Sequence, residues 1–92
     1  MLYIHDMAIE MDVVVEEFKR ILERVGFEVI EVGKKETCHM RGRKKDGEEI
    51  ILKFKPSGRG KLELCRTIVE IESEPSTHEE IQRRIRMLRG GG

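Results

Sequence analysis

The stretch from Met11 to Val32 constrains the fold most, because it combines an amphipathic helix with the strand that follows. Apolar residues recur at helical spacing along one side of residues 11–25, and charged residues fill the other side. The apolar stripe consists of Met11, Val14, Val15, Phe18, Ile21, Leu22 and Val25. Gly26 can adopt the left-handed conformation that ends a helix. The pattern predicts a helix that packs on a sheet, followed by a strand over residues 27–32.

The chain of 92 residues is long enough for one domain with a two-layer core. We predict a single domain over residues 1–92, in which residues 90–92 form a flexible glycine tail. Residues 1–5 suit either an edge strand or a lead-in that packs on the core. The first helix begins at a cap from either Asp6 or Asp12. Charged residues make up 39% of the chain and Asn is absent, a bias typical of proteins from hot environments.

Two segments after the first strand, over residues 37–43 and 49–55, alternate between apolar and polar side chains. A two-residue turn between them would place polar and apolar side chains on the same face. A three-residue loop with Gly47 in the left-handed position avoids this conflict. The predicted pairs are Cys38 with Phe54, Met40 with Leu52, and Gly42 with Ile50. A turn over residues 33–35 connects this hairpin to the first strand.

A five-residue loop over residues 56–60 predicts a fourth strand that pairs Phe54 with Leu62 and Leu52 with Leu64. The apolar phase of this strand then slips, which indicates a bulge near residues 65–66. After the strand, a second helix is predicted, with a capping box formed by Ser76 with Glu79 or by Thr77 with Glu80. Its apolar stripe is His78, Ile81, Ile85 and Leu88.

The predicted fold class is therefore α+β. It is a two-layer sandwich with the order α-β-β-β-β-α: one helix, a four-stranded antiparallel meander and a C-terminal helix, with both helices on the same face of the sheet.

Charge is unevenly distributed, although the net charge is zero. Residues 1–33 hold eight acids and three bases, whereas residues 34–61 hold ten bases and four acids. In the predicted register, the basic side chains converge on the outer face of the 37–61 hairpin. The predicted nucleic-acid or polyanion surface consists of His39, Arg41, Arg43, Lys53, Lys55, Arg59 and Lys61. A solvated sheet face that resists edge aggregation explains the same residues, and the face lacks aromatic residues for base stacking.

No pattern indicates a catalytic centre, a cofactor site or a metal site, and none is predicted. The glycine-rich stretch at 57–61 precedes a strand and lacks the P-loop spacing, so it predicts a hairpin turn. The soft metal ligands are His5, Cys38, His39, Cys65 and His78. Neighbouring residues of one strand, such as Cys38 and His39, point to opposite faces, so we expect no convergence on one ion. Cys38 is expected to be a small buried apolar residue.

Two segments resemble known families. The helix, the Gly-Phe-Glu-Val sequence at 26–29 and the following hairpin look like the start of restriction-endonuclease-like nucleases. Those enzymes hold magnesium with an acid followed by Glu-x-Lys, but this chain has Lys53-Phe54-Lys55, so no nuclease residue is carried over. The end of the chain, over 86–92, is similar to the Leu-Arg-Gly-Gly end of ubiquitin-like modifiers. That resemblance implies conjugation through the terminal glycine, whereas a helix-stopping glycine before a disordered end explains the same residues.

We predict a cytoplasmic, non-enzymatic binding module that uses the 37–61 hairpin and no cofactor. The N-terminal residues show neither a secretory signal nor a membrane span. The expected partner is nucleic acid or an acidic protein surface. A homodimer is a further possibility, in which the acidic N-terminal third meets the basic hairpin of a second copy, with Ile51 as an apolar contact. The alternative function is a ubiquitin-like modifier.

Overall fold

A computed structural model describes residues 1–34, 38–56 and 66–88. Within these residues, seven elements follow one another in the order β-α-β-β-β-β-α. They are β1 (Leu2–Met7), α1 (Met11–Val25), β2 (Glu28–Lys34), β3 (Cys38–Arg43), β4 (Glu49–Pro56), β5 (Thr67–Glu72) and α2 (Pro75–Leu88). The strands form one antiparallel sheet with the spatial order β1-β5-β4-β3-β2. The predicted α+β class is confirmed.

The prediction of four strands was wrong, because the described sheet has five. Leu2–Met7 is the additional strand, and it pairs with β5 along its full length. Its side chains alternate, with Met7 buried on the helix side of the sheet and Leu2 and Ile4 exposed on the other side. The short N-terminal segment was left undecided from sequence because its partner residues lie sixty to seventy positions further along the chain.

Helix α1 begins at Met11 with Glu10 as its N-cap, so the predicted cap from Asp6 or Asp12 was wrong. The helix ends as its sequence indicates. Gly26 has φ 115°, in the left-handed region. The N–H of Phe27 donates to the carbonyl of Leu22 at 2.8 Å, and the N–H of Gly26 donates to the carbonyls of Leu22 and Glu23 at 3.1 and 3.2 Å. These bonds satisfy carbonyls at the end of the helix and direct the chain into β2.

The β3–β4 hairpin has the predicted register, with Cys38 opposite Phe54 and Met40 opposite Leu52. Gly47 has φ 98°, as the three-residue loop requires. The neighbouring β2 strand runs two residues beyond the predicted end, and Lys34 pairs with Cys38, so the predicted turn at residues 33–35 begins too early.

The predicted pairing of the last hairpin was wrong. Phe54 pairs with Val69 and not with Leu62, and Leu52 pairs with Ile71. The apolar alternation of residues 67–71 fits the core face equally well, and the chain between the two strands is longer than a five-residue loop. The predicted bulge near residue 65 lies outside the described residues.

Helix α2 begins at Pro75, before both predicted capping boxes. Proline is favoured at the first helical position, where its missing N–H costs nothing. The Thr77 hydroxyl, one of the two alternative capping groups, instead donates a hydrogen bond to the Glu48 carboxylate in the β3–β4 turn. This bond ties the first turn of α2 to the hairpin.

The core lies between the two helices and one face of the sheet. Phe18 of α1 meets Phe54 of β4 edge to face, with ring centroids 5.7 Å apart. The buried apolar residues form one cluster, to which both helices and strands β1, β3, β4 and β5 contribute. They are Met7, Val14, Phe18, Ile21, Leu22, Phe27, Cys38, Met40, Ile50, Leu52, Phe54, Val69, Ile71 and Ile81. Cys38 is buried, as predicted.

Within the described part of the chain, neither helix is long and apolar enough to cross a membrane.

Candidate functional site

The face of the sheet opposite the helices is the candidate site, and we call it the outer face. It is formed by the side chains that alternate with the buried ones on four adjacent strands. Its members are Leu2, Ile4, Asp6, His39, Arg41, Arg43, Glu49, Ile51, Lys53, Lys55, Ile68, Glu70 and Glu72. No described helix covers these residues, so the outer face is where a partner could bind.

Five of the seven predicted site residues lie together on the outer face. His39, Arg41 and Arg43 are exposed on β3, and Lys53 and Lys55 are exposed on β4. Their convergence follows from the hairpin register, in which His39 lies opposite Lys53. The other two, Arg59 and Lys61, lie outside the described residues.

Acidic side chains lie beside this basic group, which the sequence-based hypothesis did not consider. Strand β5 places Glu70 opposite Lys53 and next to Lys55, whose Nζ is 3.0 Å from a Glu70 carboxylate oxygen. At the other end of the hairpin, a hydrogen bond from Arg43 lowers the pKa of Glu49, and their closest N···O distance is 2.9 Å. Part of the predicted positive surface is therefore neutralised by acids of the same chain.

Strands β1 and β5 give the other half of the outer face an acidic and apolar character. Ile68, Glu70 and Glu72 occupy successive outward positions of β5. Asp6 of β1 forms an ion pair with Arg66 at 3.2 Å. Leu2 and Ile4 are 60% and 64% exposed, values unusual for such large apolar side chains in successive outward positions of one strand. The alternation of residues 67–72 and 2–7 could have revealed this half from sequence, but only if β1 had been paired with β5.

A shallow open depression of about 180 Å³ lies where the two halves meet. Its lining consists of Leu2, Ile51, Lys53, Glu70 and Glu72. The depression combines an apolar floor with one cation and two carboxylates. Such a mixture suits contact with protein side chains, since protein interfaces join an apolar core to a polar rim.

Two histidines far apart in sequence meet on the helix side of the sheet, and sequence reasoning missed this contact. The Nε2 atoms of His5 and His78 are 2.8 Å apart, so one ring donates a hydrogen bond to the other. The Tyr3 ring stacks on His78 with centroids 3.6 Å apart. Burial lowers the pKa of both histidines, and the charge of His5 lowers that of His78 further.

This pair supplies two nitrogen ligands, and a metal site needs more. Among residues 1–34, 38–56 and 66–88, no three His, Cys, Asp or Glu side chains are placed to hold an ion. The glycine tail and Cys65 lie outside the described residues, so the modifier alternative stays a prediction.

Comparison with known proteins gives one informative relative. No family model and no solved structure matches the chain. An uncharacterized protein of Archaeoglobus fulgidus (strain ATCC 49558 / DSM 4304 / JCM 9628 / NBRC 100126 / VC-16) is 32% identical over 76 residues, which are 83% of this chain and 83% of that protein. The chain therefore belongs to the same family as this archaeal protein.

Proposed function

We propose that this protein is a non-catalytic binding module whose outer face docks on the outer face of a second copy. The observation that carries the proposal is a sheet face uncovered by the described helices, with opposite charges on opposite sides of an apolar centre. A two-fold interface places the same patch of both subunits in contact. The patch must therefore be complementary to itself. A face that carries charge of only one sign would repel its own copy.

The distribution of charge fits a two-fold axis that lies in the plane between the two sheets and runs along β4 over Ile51. Such an axis places the basic strand β3 of one copy over the acidic strand β5 of the other. Because Arg41, Ile51 and Glu72 lie in one row across the sheet, Arg41 then faces Glu72 of the second copy, and the reverse contact forms by symmetry. Sheets that pack face to face lie about 10 Å apart, a distance that arginine and glutamate side chains reach together.

The apolar residues supply the driving force. Leu2 and Ile4 are exposed in the single chain, and Ile51 and Ile68 are half-buried. Burial of apolar surface stabilises association by about 25 cal/mol per Å² before the costs of binding are subtracted. Charged pairs at the periphery then fix the orientation of the two copies more than they add affinity.

Charge-reversal variants test the dimer by sedimentation velocity over a wide concentration range. Arg41→Glu and Glu72→Lys are chosen because Ile51 separates the two positions within one chain. We expect each variant to weaken self-association by about tenfold or more, because each creates two like-charge contacts per dimer. An equimolar mixture of the two variants should dimerise again, since every reversed charge then meets its opposite.

Lys19→Glu and Glu16→Lys are matched controls, because both residues are exposed on α1 in the helix layer. They make the same changes in net charge and should leave association unchanged. A wild-type protein that is monomeric at all concentrations contradicts the proposal, as does equal weakening by the control variants.

One observation favours a second function, the binding of a polyanion. Among the described side chains, His39 and Lys53 have no carboxylate within 4.0 Å, so both are open to a ligand. A short mixed-sequence RNA should then shift the amide signals of residues 38–55, and the shifts should decrease as salt increases. No shifts at low salt would exclude this second function.

A further inference from the structure

An open cleft of about 200 Å³ lies between the two helices, on the opposite side of the molecule from the outer face. Its lining consists of Arg20, Ile21 and Arg24 of α1 and of Arg84 and Met87 of α2. Three of these five side chains carry a permanent positive charge, and the other two are apolar. The cleft is therefore a concentrated cationic site over an apolar floor.

The arginines of this cleft lack partners in the described part of the chain. The Nε of Arg84 is buried and makes no hydrogen bond there. Glu80, one helical turn before Arg84, forms its ion pair with Arg83 instead, at 3.4 Å. Arg20 and Arg24 likewise have no described carboxylate within 4.0 Å. A buried donor without an acceptor destabilises a fold, as do like charges one turn apart on a helix.

The helix dipole accounts for only one of the three arginines. Arg24 lies in the last turn of α1, where a cation is favourable. The basic residue in the last described turn of α2 is Arg86, which does not line the cleft. A dipole effect also gives no reason for the buried Nε of Arg84. An anion held in the cleft offsets the repulsion among the three guanidinium groups.

We propose that this cleft binds the phosphate group of a small soluble molecule. The planar guanidinium group presents two parallel N–H donors, a geometry that matches the oxygens of a phosphate. Three such groups compensate a doubly charged anion. Met87, which is 68% exposed, provides apolar contact for the organic part of a phosphate monoester.

Titration of the labelled protein with inorganic phosphate, against chloride at equal ionic strength, tests the proposal. We expect saturable shifts of the side-chain Nε–Hε signals of Arg84, Arg20 and Arg24 with phosphate only. Arg84→Gln should weaken phosphate binding by about tenfold or more, as expected for the loss of a charge-assisted hydrogen bond. Phenyl phosphate should bind more tightly than inorganic phosphate because of the apolar floor.

Arg83→Gln is the matched control, because it removes the same charge from the adjacent position of α2. Arg83 is paired with Glu80 and does not line the cleft, so this variant should keep its affinity for phosphate. Arg20→Gln repeats the test at an exposed position of α1 in case Arg84→Gln does not fold. Equal effects of phosphate and chloride, or equal weakening by Arg83→Gln and the cleft variants, would overturn the proposal.

Discussion

At the scale of the residue, His5 and His78 are far apart in the sequence, but they come into contact in the fold, and the pKa of each is lowered there. His78 is 7% exposed, between the stacked Tyr3 ring and the His5 imidazole. Burial favours the neutral form of each ring, so the pKa of both lies below the ordinary value of 6.5. The unfolded chain therefore binds more protons than the folded protein at mildly acidic pH.

The sign of the resulting pH dependence follows from linkage. Because the folded pKa values are lowered, the stabilisation is fully present above about pH 6.5 and is lost as the pH falls towards the folded values. We expect the free energy of unfolding, measured with urea, to decrease between about pH 7 and pH 5. His5→Gln should reduce this slope, because one of the two coupled groups is removed.

His39→Gln serves as the control for this measurement, since His39 is exposed on the outer face and contacts neither histidine. The free energy of unfolding of this variant should change with pH as steeply as that of the unmodified protein. A slope that is the same with and without His5 would show that the histidine pair does not determine stability in this pH range.

At the scale of the secondary-structure element, the joint between α1 and β2 depends on the backbone conformation of one residue, Gly26. A Cβ atom at Gly26 would meet only Lys44 Cε, at 3.9 Å, so there is room for a side chain. The φ of 115° nevertheless penalises any residue other than glycine. Lys44 also places its Nζ 5.0 Å from the centre of the Phe27 ring, which holds the hairpin against this joint.

We predict that Gly26→Ala lowers the free energy of unfolding by about 1–2 kcal/mol through backbone strain alone. Gly26→Asn should cost less, because asparagine enters the left-handed region more readily. Chemical denaturation of both variants checks the order. If alanine is tolerated as well as glycine, the left-handed end of α1 does not contribute to stability.

At the scale of the whole molecule, β1 joins the start of the chain to β5, the strand that precedes α2. The Met1 amino group donates to the carbonyl of Ser73, and the N–H of Ser73 donates to the carbonyl of Met1, both at 3.0 Å. Along two antiparallel strands, residue pairs that exchange two backbone hydrogen bonds alternate with residue pairs that exchange no backbone hydrogen bond. The N–H groups of Tyr3 and His5 therefore point towards β5, and that of Ile4 points away from the sheet.

Amide hydrogen exchange tests this placement of β1. We expect the amides of Tyr3 and His5 to exchange more slowly than that of Ile4, because only the first two are bonded to β5. Uniformly fast exchange over residues 2–7 would mean that the segment is a lead-in and not a strand of the sheet.

Local patterns determined much of this protein from its sequence. The stripe of α1, the stop at Gly26 and the pairing of Cys38 with Phe54 were all predicted, because each depends on residues close together in the chain. The same register placed His39, Arg41 and Lys53 on one face. In these segments, side-chain alternation and turn geometry allow a single arrangement that buries the apolar residues.

Only the tertiary structure decided what lies beside those segments. The partner of β1, the offset of β5 along β4 and the contact of His5 with His78 join residues separated by long stretches of chain. A strand with alternating apolar residues presents the same apolar face in several registers and beside different neighbouring strands. Its sequence pattern therefore selects neither the neighbour nor the register. The acids of β5 that neutralise part of the basic surface became neighbours of Lys53 and Lys55 only when the sheet assembled.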